Sequence, residues 1–466
     1  MSEILIEHLV TFGDSLSDPG FMDHKKLGGV IPMDGLSGLK GKSPDGAFTN
    51  GYVWDTDLGT DLVEESIIDR RKHHGESATE IADDIIEHDP GIEKELKDLQ
   101  FENYKRLTLQ GQDFLRYYDE GGLTSYDYTG RLTANIKLLA TEHIVSNLKA
   151  KRELFLADDK ARVISPEHKK RTLITEWSGA NDLITANSAP TKEEAKKAVM
   201  ARIENVEELI KAGYSHFALF NLPDLSLTPQ FVKLGGEKQT SAHEVCEYFN
   251  NLLKEKVEEL AKKYPDCSVD IFDVNKVFTD AYNNPQQYGL DPKKKHSPYI
   301  ESEDFKLNAN KTSPAPGYMF WDDKHPSAHV HKILAEKFYD EFGKKYHFSA
   351  PHESLLTQFR ENYGQKWKDD MDGWFGFFRS SNIAYKAPTL TVEAILRHAL
   401  HEKGNRTRDI IIELGWIDKQ NKLISKNPAL IKAMEKIHHM DSTHDSDNVT
   451  SLFDDFDVKD FKTPSS

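Results

Sequence analysis

Cysteine is scarce in this chain, which rules out one way of holding a fold together. The 466 residues include only two cysteines, Cys246 and Cys267. Two thiols cannot build the framework of several disulfides that stabilises small secreted domains. We expect both thiols to be free and buried, with a single bridge between them as the alternative.

Long apolar runs are also missing. The sequence does not open with a basic segment followed by an apolar one, and no window is apolar enough to cross a membrane. The sequence therefore predicts a soluble chain that is not exported by a cleaved signal peptide. It would stay in the cytoplasm or, as a translocated bacterial effector, leave by a route that needs no such peptide.

Positive charge is in deficit. The chain has 60 Lys and Arg residues against 77 Asp and Glu, which gives a formal net charge of −17. This balance disfavours nucleic acid as a partner, and it disfavours a broad electrostatic grip on anionic membranes.

The chain is rich in alternating strand-like and helix-like segments. One helix starts with a capping box at Thr191 and Glu194 and stops at Gly213. Amphipathic helices between strands predict an α/β fold of three layers, αβα, around a mainly parallel sheet. Strands are predicted at 172–177, 216–221 and 268–273, a long helix at about 242–263, and a further helix capped by Ser327.

Composition divides the chain into three parts. Residues 1–350 form the main unit, and the segment 61–110 within it is charged and is predicted as a helical insertion and candidate lid. Residues 351–440 are predicted to form a small helical domain. Residues 441–466 are acidic and rich in Ser and Thr, and we expect this tail to be disordered.

The segment Gly13-Asp14-Ser15 follows an apolar run that is predicted as a buried strand. Ser15 would lie where this strand ends and a helix begins, and free N–H groups at that position stabilise developing negative charge. The nucleophile elbow of the α/β-hydrolases requires G-x-S-x-G, but Ser17 occupies the place of its second glycine. A capped turn without catalytic function is the alternative.

A second chemical signal lies late in the chain. Asp322 comes three residues before His325, just ahead of a predicted helix. Such a loop can supply a general base, the imidazole, together with the carboxylate that orients it. The adjacent Asp323 is expected to point elsewhere. A metal site is the alternative, since His329 and His331 lie nearby, but we expect both to lie on the exposed part of the helix.

Five blocks of the sequence resemble the SGNH (GDSL) hydrolase superfamily, in particular its bacterial phospholipase and glycerophospholipid–cholesterol acyltransferase branch. The resemblance covers roughly residues 5–345. The blocks are F-G-D-S-L-S-D at 12–18, T-N-G-Y-V-W at 49–54, G-A-N-D at 179–182, N-L-P-D-L at 221–225 and W-D-D-K-H-P at 321–326.

The resemblance implies a catalytic triad and an oxyanion hole. The triad would be Ser15, Asp322 and His325. The oxyanion donors would be the backbone N–H of Ser15, the side-chain amide of Asn181 and the backbone N–H of Gly122, with Gly121 as the alternative to Gly122. No metal and no cofactor are implied.

The expected activity is hydrolysis of lipid acyl esters, as phospholipase A or lysophospholipase, with acyl transfer to an alcohol as a second outcome. The alternatives are an O-acetyl esterase acting on sugars or other small acetyl esters, and an inactive binding protein on the same fold. The expected partners are a lipid or other acyl ester, a transiently contacted membrane surface, and a protein partner for the C-terminal region.

Overall fold

The structure is a computed structural model, and most of the chain up to residue 348 is described in it. The described residues are 4–27, 31–32, 38–44, 46–59, 75, 99–102, 105–109, 112–129, 146–185, 190–308, 313–348, 396, 399–400, 408, 411–412 and 415–443.

The described part of the chain forms eleven strands and ten α-helices. The strands are β1 (Ile4–Ile6), β2 (His8–Gly13), β3 (Lys26–Leu27), β4 (Ile31–Pro32), β5 (Leu99–Glu102), β6 (Arg106–Leu109), β7 (Gln112–Tyr117), β8 (Thr172–Trp177), β9 (His216–Phe220), β10 (Ser268–Phe272) and β11 (Tyr346–Phe348). The helices are α1 (Phe21–His24), α2 (Leu148–Arg162), α3 (Pro166–Lys170), α4 (Ala180–Ile184), α5 (Lys192–Lys211), α6 (Pro229–Leu234), α7 (Gly236–Lys263), α8 (Val274–Asn283), α9 (Ala328–Phe342) and α10 (Pro428–Thr443).

A seven-stranded sheet forms the centre of the fold, with the strand order β10-β9-β8-β2-β7-β6-β5. The five strands from β10 to β7 are parallel, and β6 and β5 continue the sheet as antiparallel strands. The predicted three-layer α/β architecture is therefore confirmed. Because the carboxyl ends of parallel strands meet at one edge, the segments that follow β2, β7 and β8 come together there.

Alternate residues of each strand enter two different hydrophobic cores. Leu9 and Leu173 pack into one core with helix α9, whereas Val10 and Ile174 pack into the other with helices α5 and α7. This alternation buries both faces of the sheet, as expected for parallel strands covered by helices.

The described residues near the C-terminus share the first of these cores. Trp416 is fully buried and belongs to the same cluster as Trp54 and Phe338. Helix α10 adds a buried stripe of four residues: Leu430, Ala433, Met434 and Ile437. The predicted domain boundary near residue 350 lies outside the described residues.

The structure differs from two predictions about local structure over short stretches, and most of both segments remains a prediction. Within the insertion 61–110, residues 99–102 and 106–109 form antiparallel strands instead of helix, since apolar and polar side chains alternate there with the period of a strand. Helix α10 continues to Thr443, into the tail predicted to be disordered. Residues 60–74, 76–98 and 444–466 lie outside the described residues.

Candidate active site

Ser15 lies in a tight turn directly after β2. Asp14 donates its N–H to the carbonyl of Trp177, and its side chain accepts the N–H of Leu16 at 3.0 Å, which fixes the turn. A Cβ at Gly13 would lie 2.6 Å from Ser17, so a side chain cannot be accommodated there. The predicted helix does not follow Ser15. The chain turns instead, and helix α1 begins only at Phe21.

His325 reaches Ser15 from the loop that precedes α9. Its Nε2 lies 2.7 Å from the Oγ of Ser15, and its Nδ1 lies 2.7 Å from the Oδ2 of Asp322. The three side chains therefore form one continuous hydrogen-bonded line, in which the imidazole can accept a proton from the hydroxyl while the carboxylate holds its other nitrogen.

Asp322 is held in its ionised form. Burial alone would raise its pKa, but attraction to His325 and hydrogen bonds from His325 and Lys324 outweigh burial and leave the pKa below its ordinary value. Its Oδ1 accepts the backbone N–H groups of Lys324 and His325 at 2.9 and 2.7 Å. The neighbouring Asp323 makes no hydrogen bond to His325 in the described part of the chain.

Ser15, Gly122 and Asn181, the three residues with candidate oxyanion donors, all line one cavity. The backbone N–H groups of Ser15 and Gly122 have no acceptor among the described residues. Gly122 adopts a φ of 86°, a conformation that favours glycine. Asn181 donates one amide hydrogen to the carbonyl of Leu123 at 3.1 Å, which leaves the other for a ligand. Of the two candidate glycines, Gly121 already donates its N–H to Asp18 at 2.7 Å.

A cavity of about 230 Å³ opens beside Ser15. Its wall is mostly apolar and includes Leu16, Met22, Phe48, Ile184, Leu225 and Phe278. Asp14 and Lys324 also line the cavity, and burial raises the pKa of Asp14 to about 7.

Sequence reasoning did not single out several residues of this site. Phe48 lies with its ring centroid 5.0 Å from that of His325, and Lys324 is in the cavity wall. Asp18 and Asp182 hydrogen-bond the loop that carries Gly122. Both carboxylates belong to motifs quoted above, but a motif does not show which backbone N–H groups a side chain will meet.

The histidines after His325 do not lie where we expected them. His331 is fully buried, neither of its ring nitrogens has a hydrogen-bond partner among the described residues, and burial lowers its pKa to about 3. His329 is only partly exposed, and its Nε2 lies 2.6 Å from the carbonyl of Tyr288. The expectation of an exposed face failed because α9 is packed on two sides: Leu334 and Phe338 belong to one hydrophobic cluster and Val330 belongs to another. Within the described ranges, no three His, Cys, Asp or Glu residues are placed to hold a metal ion.

Neither cysteine is in a disulfide bond, and no described helix is suited to span a membrane. Cys246 is buried and Cys267 is half-buried, and both are free. Among the helices that the structure describes, none combines the length and apolar character needed to span a membrane.

The sequence model of the family described as GDSL-like Lipase/Acylhydrolase matches residues 9–338, most of the chain. The chain therefore belongs to this family, and the resemblance noted in the sequence is confirmed. Membership in this family identifies the chain as an α/β enzyme that hydrolyses carboxylic esters.

Curated relatives agree with this assignment. The chain is 25% identical to the phosphatidylcholine-sterol acyltransferase of Aeromonas hydrophila, over 73% of this chain and 92% of that protein. It is 26% identical to the secreted effector protein SseJ of Salmonella typhimurium, over 71% of this chain and 62% of SseJ. It is 23% identical to the GDSL esterase/lipase At5g42170 of Arabidopsis thaliana, over 72% of this chain and 85% of that protein.

Proposed function

We propose that this chain is a serine-dependent acyl hydrolase of glycerophospholipids, acting as phospholipase A or lysophospholipase. The observation that carries the proposal is the line of hydrogen bonds from Ser15 through His325 to Asp322 beside an apolar cavity. The relative named phosphatidylcholine-sterol acyltransferase supports both a phospholipid substrate and transfer of the acyl group to an alcohol.

The first half of the reaction acylates Ser15. Its Oγ attacks the ester carbonyl while Nε2 of His325 takes the hydroxyl proton, and Asp322 stabilises the imidazolium that forms. The carbonyl oxygen becomes an oxyanion, which receives hydrogen bonds from the N–H groups of Ser15 and Gly122 and from the amide of Asn181. Collapse breaks the ester bond, and His325 returns the proton to the departing alkoxide.

The second half releases the acyl group. Water, or an alcohol in its place, attacks the acyl-enzyme carbonyl while His325 accepts its proton. Collapse of the second tetrahedral intermediate then returns the proton to Ser15 and frees a fatty acid or a new ester. The choice between the two outcomes depends on how well the occupied site excludes water.

Two features of the cavity favour a lipid ester over an acetyl ester. Its volume of about 230 Å³ is several times the space of one water molecule, and its wall offers apolar contacts that an acetyl group would leave unused. Lys324 lines the same cavity, and no carboxylate among the described residues lies within ion-pair distance of its ammonium. The charge of Lys324 also acts on the adjacent Asp323, but a cation with no carboxylate at ion-pair distance suits the phosphate of a glycerophospholipid.

The test is a substrate panel run with the full chain and three variants. We expect Ser15→Ala and His325→Ala to abolish hydrolysis of lysophosphatidylcholine and of p-nitrophenyl esters, and Ser15→Ala to abolish labelling by a fluorophosphonate probe. Ser17→Ala is the matched control, because Ser17 lies in the same turn but its Oγ accepts a hydrogen bond from Trp54.

Each alternative has its own signature in this panel. A rate that is highest for acetate and falls as the acyl chain lengthens would favour the O-acetyl esterase. A folded wild-type chain that neither turns over any ester nor reacts with the probe would favour the inactive binding protein. Wild-type turnover by Ser15→Ala would contradict the mechanism itself.

A further inference from the structure

The loop 120–126 carries Gly122 past the carboxyl end of β7 and is held to its neighbours along its length. Glu120 donates its N–H to the carbonyl of Gly13 at 3.0 Å, and Gly121 donates to Oδ2 of Asp18 at 2.7 Å. Further along, the carbonyl of Leu123 accepts the amide of Asn181 at 3.1 Å. The loop is thus fixed to segments on both of its sides.

Asp18 is the anchor on the side of Ser15. Its carboxylate is fully buried and accepts four backbone N–H groups. One oxygen serves Gly20 and Phe21, and the other serves Met22 at 2.9 Å and Gly121 at 2.7 Å. One side chain therefore ties the segment that follows the nucleophile turn to the residue directly before Gly122.

Asp182 is the anchor on the side of Asn181. It is fully buried, and its two oxygens accept the N–H groups of Ser125 at 2.7 Å and Tyr126 at 2.9 Å. The hydroxyls of Ser125 and Ser178 lie 2.7 Å apart and add a second link between the same two segments. The residue next to Asn181 thus fixes the far end of the loop that carries Gly122.

We propose that Asp18 and Asp182 are positioning residues, which hold loop 120–126 from both ends so that the N–H of Gly122 points at the oxyanion. The inference rests on the proposed function, because it takes Gly122 as an oxyanion donor. The stabilisation that such a donor gives depends on its being in place before charge develops.

The carboxylates are not interchangeable with amides at these positions. Each uses both oxygens as acceptors of backbone N–H groups, whereas an Asn side chain has one acceptor oxygen and one NH2 donor. In Asp18→Asn, one pair of N–H groups, either that of Gly20 and Phe21 or that of Met22 and Gly121, would face the NH2 and lose its acceptor. Relief of that repulsion would displace the turn or the loop.

The cost of burying these charges supports a role beyond packing. Burial raises the pKa of Asp18 to about 6 and that of Asp182 to about 7, although the hydrogen bonds from backbone N–H groups lower both. Burying two carboxyl groups is a poor way to stabilise a core when apolar side chains could fill the same space.

Asp18→Asn and Asp182→Asn test the proposal, each measured separately in the full-length chain. We expect kcat to fall about 100-fold, as for other small misplacements of catalytic groups, while KM for the same ester changes little. The affinity for an acyl trifluoromethyl ketone, which forms an oxyanion on Ser15, should fall by the same factor. The affinity for a long-chain alcohol, which occupies the cavity without an oxyanion, should not.

Asp159→Asn is the matched control. Asp159 is also a buried carboxylate that accepts hydrogen bonds, from Arg116 at 2.9 Å and from Tyr214, but neither of these bonds involves loop 120–126. We expect this variant to lose thermal stability yet keep its kcat and its affinity for the ketone.

The outcomes separate the inference from the function on which it rests. Two results would overturn the positioning role while Ser15→Ala stays inactive. In the first, a folded Asp18→Asn or Asp182→Asn variant has a kcat within threefold of that of Asp159→Asn. In the second, the variant has a raised KM and an unchanged kcat. An active Ser15→Ala would overturn the function instead. If neither Asn variant folds, amide measurements on the wild-type chain provide the test. The inference requires that the amide hydrogen of Gly121 exchanges slowly with solvent and that the amide resonance of Gly122 shifts when the ketone binds.

Discussion

Asp322 binds His325 twice, once through the ring and once through the backbone. Its Oδ2 lies 2.7 Å from the ring Nδ1, and its Oδ1 accepts the backbone N–H of the same residue at 2.7 Å. A single carboxylate therefore sets both the direction of the loop and the rotation of the imidazole. This arrangement leaves Nε2 facing Ser15.

The first prediction concerns this carboxylate. We expect Asp322→Asn to lower kcat about 1,000- to 10,000-fold, because the amide favours the tautomer that presents the wrong nitrogen to Ser15. Asp323→Asn is the control, since Asp323 is adjacent in sequence and, in the described part of the chain, makes no hydrogen bond to His325. Equal losses in the two variants would show that the effect is one of local charge and not of imidazole orientation.

The second prediction concerns Asn181. We expect Asn181→Ala to lower kcat about 100- to 1,000-fold, because one oxyanion donor is lost. Thr185→Val should cause a smaller loss, since Thr185 donates to Oδ1 of Asn181 at 2.7 Å and orients the amide without being a donor to substrate. Steady-state kinetics decide the matter, and a rise in KM with unchanged kcat in Asn181→Ala would assign the residue to binding instead.

Local patterns predicted much of the fold. Strand β8 covers the six residues predicted, β9 and β10 each end one residue earlier than predicted, and helix α5 has the N-cap at Thr191 that its capping box indicated. These features depend on side-chain alternation and on hydrogen bonds within a few residues. Helix α7 begins at Gly236, well before the predicted start near 242. The prediction missed its first six residues because none of them is buried, so they show no apolar periodicity.

One error comes from judging a long segment by its overall composition, and the others come from contacts between distant parts of the chain. The hairpin β5–β6 was not predicted because the segment around it is charged overall. The local alternation of Leu99 and Phe101 with polar residues indicates a strand. The burial of His331 was missed because α9 packs against two hydrophobic clusters that include residues far from it in sequence. The same limit applies to Asp18, whose four N–H partners include Gly121, 103 positions away.

The third prediction uses the buried His331. Its folded-state pKa of about 3 lies below the ordinary value of 6.5, so the unfolded chain takes up the proton first, and stability is lost as the pH falls below about 6.5. A glutamine at this position does not titrate. Between pH 7 and pH 5, the free energy of unfolding of the wild type should therefore fall by about 2 kcal/mol more than that of His331→Gln.

Urea denaturation of both proteins at the two pH values measures this difference. Carboxylates such as Asp14 have raised pKa values and act in the opposite direction, since their folded forms gain protons as the pH falls. They are present in both proteins and cancel in the comparison. Parallel pH profiles for wild type and His331→Gln would mean that His331 does not stay neutral in the fold.

The last prediction concerns Lys324 and the substrate headgroup. A hydrogen bond to a charged group contributes about 1.5–3 kcal/mol, so removing the ammonium in Lys324→Met should weaken use of a phosphate-bearing ester by about 10- to 100-fold. The quantity to measure is the ratio of kcat/KM for lysophosphatidylcholine to kcat/KM for the monoacylglycerol with the same acyl chain. Lys324 is adjacent to His325, and a disturbance of the imidazole would lower kcat/KM for both esters alike and leave the ratio unchanged. Loss of headgroup recognition would lower only the value for lysophosphatidylcholine, so the ratio distinguishes the two effects.

Lys233→Met is the control. It makes the same change of charge at an exposed position outside the cavity wall and should leave the ratio unaltered. A ratio in Lys324→Met equal to that of Lys233→Met would mean that the cavity recognises the acyl chain and not the phosphate.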